Sequence, residues 1–508
     1  MEILSALMHG FEVSMTPGNL LFCLIGVALG TAVGVLPGLG PTATISLLLP
    51  ITFHLDPVSS IIMLSGIYYG AMYGGSITSI LVKIPGEAST IVTCIDGYEM
   101  ARRGRAGPAL GMSALSSFIA GIFATAGIAA FGPMLADIAI TFGPAEYTAL
   151  VALGLVLVTF VSETSMPRSL LMVGVGLALS TVGLDPITGE DRFTFGSSYL
   201  RDGFDIALMA IGLFGIAEVL SLAASREKTN SMLAKTTKFR ELLPTRSDWK
   251  RSSAPIGRGT VLGFFLGLLP GGGALISSFA SYALEKRIAG PNAGFGDGAI
   301  EGVAGPEAAN NAAAQASFIP LLSLGIPSNV VMGVILGALM IQGIAPGPML
   351  MSEQPALFWG VIASMFIGNL FLVVLNVPLL PVFVALLRVP ERILLPLILL
   401  FCVVGAYSLK NSAADVTTMV IFGIIGFALR RGGLDAAPLM LAFVLGELFE
   451  RSFRQALLIG GGSPEIFIIK PISLALLCFA GLLLLVPLGI RLVRLARRSS
   501  SPARKTSL

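Results

Sequence analysis

The sequence predicts an all-α, polytopic membrane protein with about 12 transmembrane helices, several of them broken or re-entrant, in two inverted-topology repeats. Three observations carry this. Of 508 residues, 55% are hydrophobic and 12% charged. That is about half the charged share of a soluble protein, and the mean hydropathy is +0.88; water cannot be kept off so much apolar surface in a soluble fold. The apolar runs are long, often roughly 18 residues or more, whereas an outer-membrane barrel would alternate in short segments. Finally, a Leu-Pro-Gly-x-Gly sequence recurs in the two halves.

Taken in order, the apolar runs lie near 18–36, 41–53, 57–82, 107–136, 145–162, 167–183, 204–224, 256–269, 274–284, 308–326, 328–345, 355–387, 391–409, 413–429, 434–449 and 470–494. A single crossing takes about 20 residues. The shorter runs, interrupted by some of the 60 Gly and 30 Pro, read as pieces of broken helices. No Lys or Arg precedes Lys83, so the positive region of a secretory signal is missing and the first apolar segment is expected to stay.

Charge sets the expected sides. Residues 225–258 hold Arg226, Lys228, Lys235, Lys238, Arg240, Arg246, Lys250, Arg251 and Arg258 against Glu227, Glu241 and Asp248. This basic linker, Arg102, Arg103 and Arg105, and the tail at 499–508 are expected in the cytoplasm. The N-terminus, with Glu2 and Glu12 and no cation, is expected outside. The chain thus divides into an N-terminal membrane repeat at 1–224, the linker at 225–258, a C-terminal membrane repeat with extra helices at 259–498, and the tail.

Residues 26–40, GVALGTAVGVLPGLG, match 259–273, GTVLGFFLGLLPGGG, at Gly26/Gly259, Gly30/Gly263, Gly34/Gly267, Leu36/Leu269, Pro37/Pro270, Gly38/Gly271 and Gly40/Gly273. Downstream, Ile84-Pro85 pairs with Ile326-Pro327, and Met100…Gly107-Pro108 with Met340…Gly347-Pro348. The loop at 101–105 is basic while its counterpart at 341–345 is uncharged, so the halves are expected to enter the membrane from opposite sides. Inverted repeats with midplane sites at broken helices characterise secondary transporters.

Around Leu36-Pro37-Gly38-Leu39-Gly40-Pro41-Thr42, proline removes donors and glycine frees the backbone, so a helix must stop and restart. The restart at Thr42 offers free N–H groups, as does Gly271-Gly272-Gly273 in the other half; either these seat a carboxylate or they form kinks at tight crossings. Ser76, Thr78 and Ser79 supply hydroxyls, and Tyr69, Tyr73 and Ser76 share a helical face. Breaks follow at Ile84-Pro85-Gly86-Glu87 and at Ile326-Pro327-Ser328-Asn329. Candidate substrate contacts are therefore Gly38, Gly40, Thr42, Ser76, Ser79, Gly271, Gly272, Gly273, Asn310, Asn311, Ser328 and Asn329.

Glu307, Asn311 and Gln315 fall at i, i+4 and i+8 on one helical face and are the ion-coupling candidates. Their oxygens suit Na⁺, and a buried Glu can carry a proton instead. Glu307 could equally be a helix-start charge after Pro306. Lys83 either offsets an anion or snorkels to the cytoplasmic side. Asp137, Glu146, Glu163 and Glu218 read as solvated segment ends, and Arg430, Arg431, Arg451 and Arg454 as interface or loop charges. Cys23, Cys94, Cys402 and Cys478 form no CxxC and read as small core hydrophobes. With two His and no Walker A loop, nucleophile elbow, HExxH or Rossmann fingerprint, neither an enzyme nor an ATPase is expected. No cofactor or metal beyond a possible Na⁺ is expected, and no nucleic-acid partner.

The stretches GVLPGLGPTATISLLLPITF (34–53), YYGAMYGGSITSILVKIPGEAST (68–90), DGYEMARRGRAGPALG (96–111), FGPAEYTAL (142–150), EGVAGPEAANNAAAQASFIPLLSLGIPS (301–328) and LGALMIQGIAPGP (336–348) resemble the large, TctA-type permease subunit of the bacterial tripartite tricarboxylate transporters. The likeness spans nearly the whole chain. It departs from the family at Ile326-Pro327-Ser328-Asn329, where IPGS is common, and at Lys83, where an amide is frequent. The resemblance implies an inner-membrane uptake system with a periplasmic solute-binding protein and a small membrane subunit. It also implies a Na⁺ or proton gradient as the driving force and organic anions as substrates: tri- and dicarboxylates or aromatic acids. The competing expectation is a stand-alone anion carrier or channel without a binding protein.

Overall fold

Inside a bilayer the backbone must satisfy its own hydrogen bonds, which leaves helices or closed barrels. The computed structural model describes residues 2–36, 40–52, 54–162, 164–185, 187–224, 242–269, 273–290, 293–386 and 391–499, and it is helical almost throughout. The strands among the described residues are β1 (Gly183–Leu184) and β2 (Asp191–Arg192), paired antiparallel with Gly183 opposite Arg192. Among the described residues, five helical stretches are long and apolar enough to cross a membrane, and several shorter apolar helices accompany them. The all-α, multi-pass class follows.

In the first half come α1 (Glu2–Ser14), α2 (Pro17–Gly34), α3 (Pro41–Thr52), α4 (Pro57–Val82), α5 (Thr93–Met100), α6 (Ala106–Ile140), α7 (Pro144–Val161), α8 (Met166–Ser180), α9 (Ile206–Ala210) and α10 (Ala217–Ala224). The second half has α11 (Arg246–Gly267), α12 (Gly273–Ala289), α13 (Glu301–Ala316), α14 (Phe318–Leu324), α15 (Val330–Ile341), α16 (Leu350–Glu353) and α17 (Pro355–Asn376). The remaining helices are α18 (Leu380–Leu386), α19 (Glu391–Lys410), α20 (Ala413–Arg431), α21 (Ala436–Ile459), α22 (Ile466–Ile469) and α23 (Pro471–Ser499). Prolines open α2, α3, α4, α7, α17 and α23; at the first helical position the missing N–H costs nothing and the fixed φ favours the helix.

The linker expected at 225–258 is helical from Arg246 onward. Thr245 Oγ1 accepts from the Asp248 N–H at 3.2 Å and the Asp248 carboxylate accepts from the Thr245 N–H at 3.0 Å, a reciprocal capping pair. Arg105 in turn donates to Asp248 at 2.6 Å. Residues 225–241 and 500–508 lie outside the described residues.

The repeated glycines set the packing. A Cβ on Gly26, Gly30 or Gly34 of α2 would collide with the backbone carbonyl of Met63, Ile67 or Ala71 of α4. A Cβ on Gly259, Gly263 or Gly267 of α11 would collide with that of Gly305, Ala309 or Ala313 of α13. Each half thus presses one helix backbone onto another along a stripe of small residues, which lipid-embedded helices use to gain contact. In consequence α4 and α13 are buried on all sides, from Ser59 to Leu81 and from Gly302 to Gln315 respectively. Cys23, Cys94 and Cys402 are buried as expected, whereas Cys478 is exposed.

The β-hairpin is tied to α21. Asp185 accepts from the Ile187 and Thr188 N–H groups at 2.8 and 2.9 Å and from Arg454 at 2.8 Å. Arg192 donates to Glu450 at 2.6 Å. Arg454 is therefore one of four residues in an ion cluster and stands on α21, not in a loop. The Thr188 N–H, then Arg454, then the Ile187 N–H hold the Asp185 carboxyl well below the usual range. A depressed folded-state pKa contributes stability above the unfolded value, about 3.9, and that contribution is lost as pH falls below it. Asp185→Asn is expected to lower the melting temperature of the detergent-purified protein near neutral pH, and the gap to the wild type should begin to narrow below the unfolded value and close only as pH falls through the much lower folded one. Equal melting temperatures near neutral pH would refute the cluster's role.

Candidate functional site

Three helix starts converge on one cavity of about 580 Å³. Gly40, Pro41, Thr42 and Ala43 bring the start of α3, Gly273, Ala274 and Leu275 that of α12, and Asn329, Val330 and Val331 that of α15. Pro85, Gly86, Glu87, Ala88 and Ser89, the chain after the Ile84-Pro85 break, close one wall with Tyr68 and Met72 of α4. Ile91, Phe214, Glu218 and Arg430 complete it. Each half contributes a helix that restarts after a Pro-Gly break and a segment that follows an Ile-Pro break.

The reasons are local. At α3 the first helical bond runs from the Thr44 N–H to the Gly40 carbonyl at 3.2 Å, so the N–H groups just after Gly40 have no partner within the helix. The α15 start is capped: Asn329 Oδ1 accepts from the Met332 N–H at 3.0 Å, and its Nδ2 donates to the Tyr68 hydroxyl at 3.1 Å. Aligned peptide dipoles place a partial positive charge at each such start. Ser278 ties α12 to the opposite half, donating to the Ser89 carbonyl at 2.6 Å.

Of the candidate substrate contacts, Gly40, Thr42, Gly273 and Asn329 line the cavity. Gly38, Gly271 and Gly272 lie outside the described residues, as does Glu163. Ser328 is fully buried and its hydroxyl has no partner. Ser79 donates to Thr90 Oγ1 at 2.9 Å, behind the 86–90 segment. Ser76, Asn310 and Asn311 sit deeper, in a polar cluster around Glu307.

Glu307 is wholly buried. Ser76 and Ser113 donate to its Oε2 at 2.7 and 3.1 Å, and Thr93 donates to its Oε1. Asn311 Nδ2 donates to Ser117 Oγ at 2.8 Å and to Asn310 Oδ1 at 2.8 Å, while Asn311 Oδ1 and Asn310 Nδ2 are buried without partners. Glu307 is therefore an interior group between α4, α5, α6 and α13 and not a solvated helix-start charge. Gln315, on the same face, is held elsewhere: it accepts from Thr125 and donates to Asn369 at 2.9 Å. The sequence reading missed Thr93, Ser113 and Ser117, whose signal is only a scatter of hydroxyls on α5 and α6.

It also missed Glu87, although the residue stands inside the Ile-Pro-Gly-Glu break. Glu87 caps the single turn Ala88–Thr90 and accepts from Ser89. Glu218, expected as a solvated segment end, is instead buried in the cavity wall, and Arg430, expected as an interface or loop charge, stands at the end of α20, lines the same cavity and donates to Glu218. Lys83 ends α4 with a left-handed φ of +59° and lies 5.4 Å from the centre of the Tyr98 ring, away from the cavity lining. Among the described residues, no group of three or more His, Cys, Asp or Glu is placed to hold a metal ion.

Residues 20–441 match the family described as Tripartite tricarboxylate transporter TctA family. A relative from Agrobacterium vitis, named as an uncharacterized 52.8 kDa protein in the TAR-I ttuC' 3' region, is 51% identical over 94% of this chain and 94% of its own length. A second from the same organism, named as an uncharacterized protein in the TAR-II ttuC' 3' region, is 54% identical over 42% of this chain and 89% of its own length. No solved structure matches. With most of its length matched, and at such identity, the chain belongs to the tripartite tricarboxylate transporter TctA family.

Proposed function

We propose that this transporter is the large membrane subunit of a binding-protein-dependent importer of organic anions, driven by a Na⁺ or proton gradient. The observation that carries the reading is the shared cavity, to which each half gives a restarted helix and the chain after an Ile-Pro break. Free N–H groups at helix starts favour anions, and sites of this kind serve alternating access. The substrate carboxylate binds at Gly40–Thr42 and Gly273, with Asn329 beside it. The coupling ion sits at Glu307, where buried hydroxyls and the unpartnered Asn311 Oδ1 offer oxygens to Na⁺ and the carboxyl itself offers a proton site. Gln315, bonded to Asn369, supports the packing of α13 on α17 and takes no ion.

In this reading the partners are a small membrane subunit and a periplasmic solute-binding protein. The chain lies in the inner membrane, with its N-terminus in the periplasm and its C-terminus in the cytoplasm, as the basic segments favour. The test is uptake of radiolabelled citrate, succinate and benzoate into proteoliposomes holding this chain and the small subunit. A Na⁺ or proton gradient is imposed, with and without the binding protein. Accumulation that needs both is expected. Accumulation indifferent to the binding protein, or mere equilibration, would replace the reading with a stand-alone carrier or a channel.

A further inference from the structure

The charges in the cavity wall are unbalanced for an anion site. Among the described residues lining it are two acids, Glu87 and Glu218, and one cation, Arg430. The same arginine lines an adjoining cavity of about 910 Å³, together with Thr42, Ala88 and Arg168. The two cavities share Thr42, Ala88, Phe214, Leu275, Val330 and Arg430, so Arg430 stands at their junction. Among the described residues that line both, it is the charged one.

The pairing of Arg430 is lopsided. Its Nη1 donates to Glu218 Oε2, but the Glu218 side chain is 10% exposed and that of Arg430 is 49% exposed. Glu218 lies twelve residues beyond Ile206, where its helical run begins. It pairs there with the penultimate residue of α20. Ionisable side chains within membrane helices are rare, pair with one another and mark pathways and sites. Here the acid is the desolvated partner and the cation is the one a ligand can reach. A guanidinium has five N–H donors in a fork that fits a carboxylate in two-point fashion, and the bond to Glu218 engages one nitrogen.

We propose that Arg430 binds a carboxylate of the transported anion and that Glu218 is the positioning residue that holds the guanidinium at the cavity junction. This rests on the organic-anion reading above and adds the full charge that dipoles at helix starts do not supply. In the empty cavity Glu218 neutralises the arginine. When the anion arrives, the free donors take one carboxylate, while the helix starts at Gly40–Thr42 and Gly273 take another group. A substrate with two or more carboxylates satisfies both ends at once.

The test uses the reconstituted transporter and radiolabelled citrate, succinate and benzoate, following whichever the wild type accumulates. Arg430→Gln is expected to raise KM at least tenfold, with Vmax within about threefold of wild type. Arg430→Lys should restore part of the affinity by keeping the charge without the fork. Glu218→Gln should raise KM less than Arg430→Gln does. A defect that is merely structural would lower Vmax, or the yield of folded protein, and would not track charge. An unchanged KM in Arg430→Gln overturns the proposal.

A second measurement covers poor folding of that variant. In a Cys478→Ser background, Arg430→Cys should react with a cationic methanethiosulfonate reagent, and the transported carboxylate, supplied well above the raised KM of this variant, should slow the reaction at least threefold. Absence of protection overturns the proposal while leaving the transport reading intact, since wild-type uptake is scored separately. A wild type that accumulates none of the three anions overturns the transport reading and this proposal with it.

Discussion

Glu307→Gln is expected to abolish gradient-driven accumulation and leave a folded protein, and Glu307→Ala to lose the fold as well. Glu307 is wholly buried, and Ser76, Thr93 and Ser113 all donate to its carboxylate. Glutamine has nearly the same shape and keeps an acceptor for part of the cluster, but it carries neither negative charge nor a titratable proton. It therefore offers Na⁺ an oxygen without the charge that offsets dehydration, and it has no proton to shuttle, so coupling fails whichever ion is used. Alanine removes every acceptor and strands Thr93 and Ser113, while Ser76 keeps the Met72 carbonyl, at about 1–3 kcal/mol for each buried unpaired group. With the cavity left by the side chain, that is a large share of the stability of a typical domain.

The measurements are melting temperature and two transport assays, one driven by an ion gradient and one by exchange of substrate across the membrane without a gradient. The expected pattern for Glu307→Gln is a melting temperature close to wild type, exchange retained, and accumulation lost. Wild-type accumulation by Glu307→Gln would remove the ion site from this carboxylate. Loss of exchange and accumulation together, with the fold intact, would move Glu307 into substrate binding.

Gly263→Leu is expected to prevent assembly of the second half, and Gly30→Leu that of the first. Their Cβ atoms would meet the backbone carbonyls of Ala309 and Ile67. Ordinary overpacking costs about 1–3 kcal/mol because side chains give way. Here the obstacle is main chain, so relief requires that two helices move apart along their length and lose the contacts of Gly26, Gly34, Gly259 and Gly267. The control is Gly257→Leu, on the same helix as Gly263, where no atom stands within 4 Å of a Cβ. The yield of monodisperse protein and its melting temperature are the measurements. Gly263→Leu as stable as Gly257→Leu would show that the close approach is not required.

These two predictions differ in how far they could be drawn from sequence. The glycine stripes were visible as a repeat, because spacing of four residues marks one face of a helix and Gly is the residue for close backbone approach. The partner helices were not visible. The stripe states that something lies close, and only the fold says that it is α4 for one half and α13 for the other. Helix breaks were equally legible, since Pro and Gly act on their own neighbours: α3 does start at Pro41 and α15 at Val330.

Glu307, Asn311 and Gln315 do lie on one buried face of α13, as their spacing requires. Yet eight residues along a helix span about 12 Å, which is enough to place Glu307 among Ser76, Thr93 and Ser113 and Gln315 against Thr125 and Asn369. The ion pair in the cavity wall joins residues 212 positions apart, and no periodicity connects them. Composition, helical period and the conformational limits of Pro and Gly act locally, so the sequence by itself determined an all-helical membrane protein, its breaks and its family. Which polar groups meet in the interior depends on how distant helices pack, and that only the tertiary structure decided.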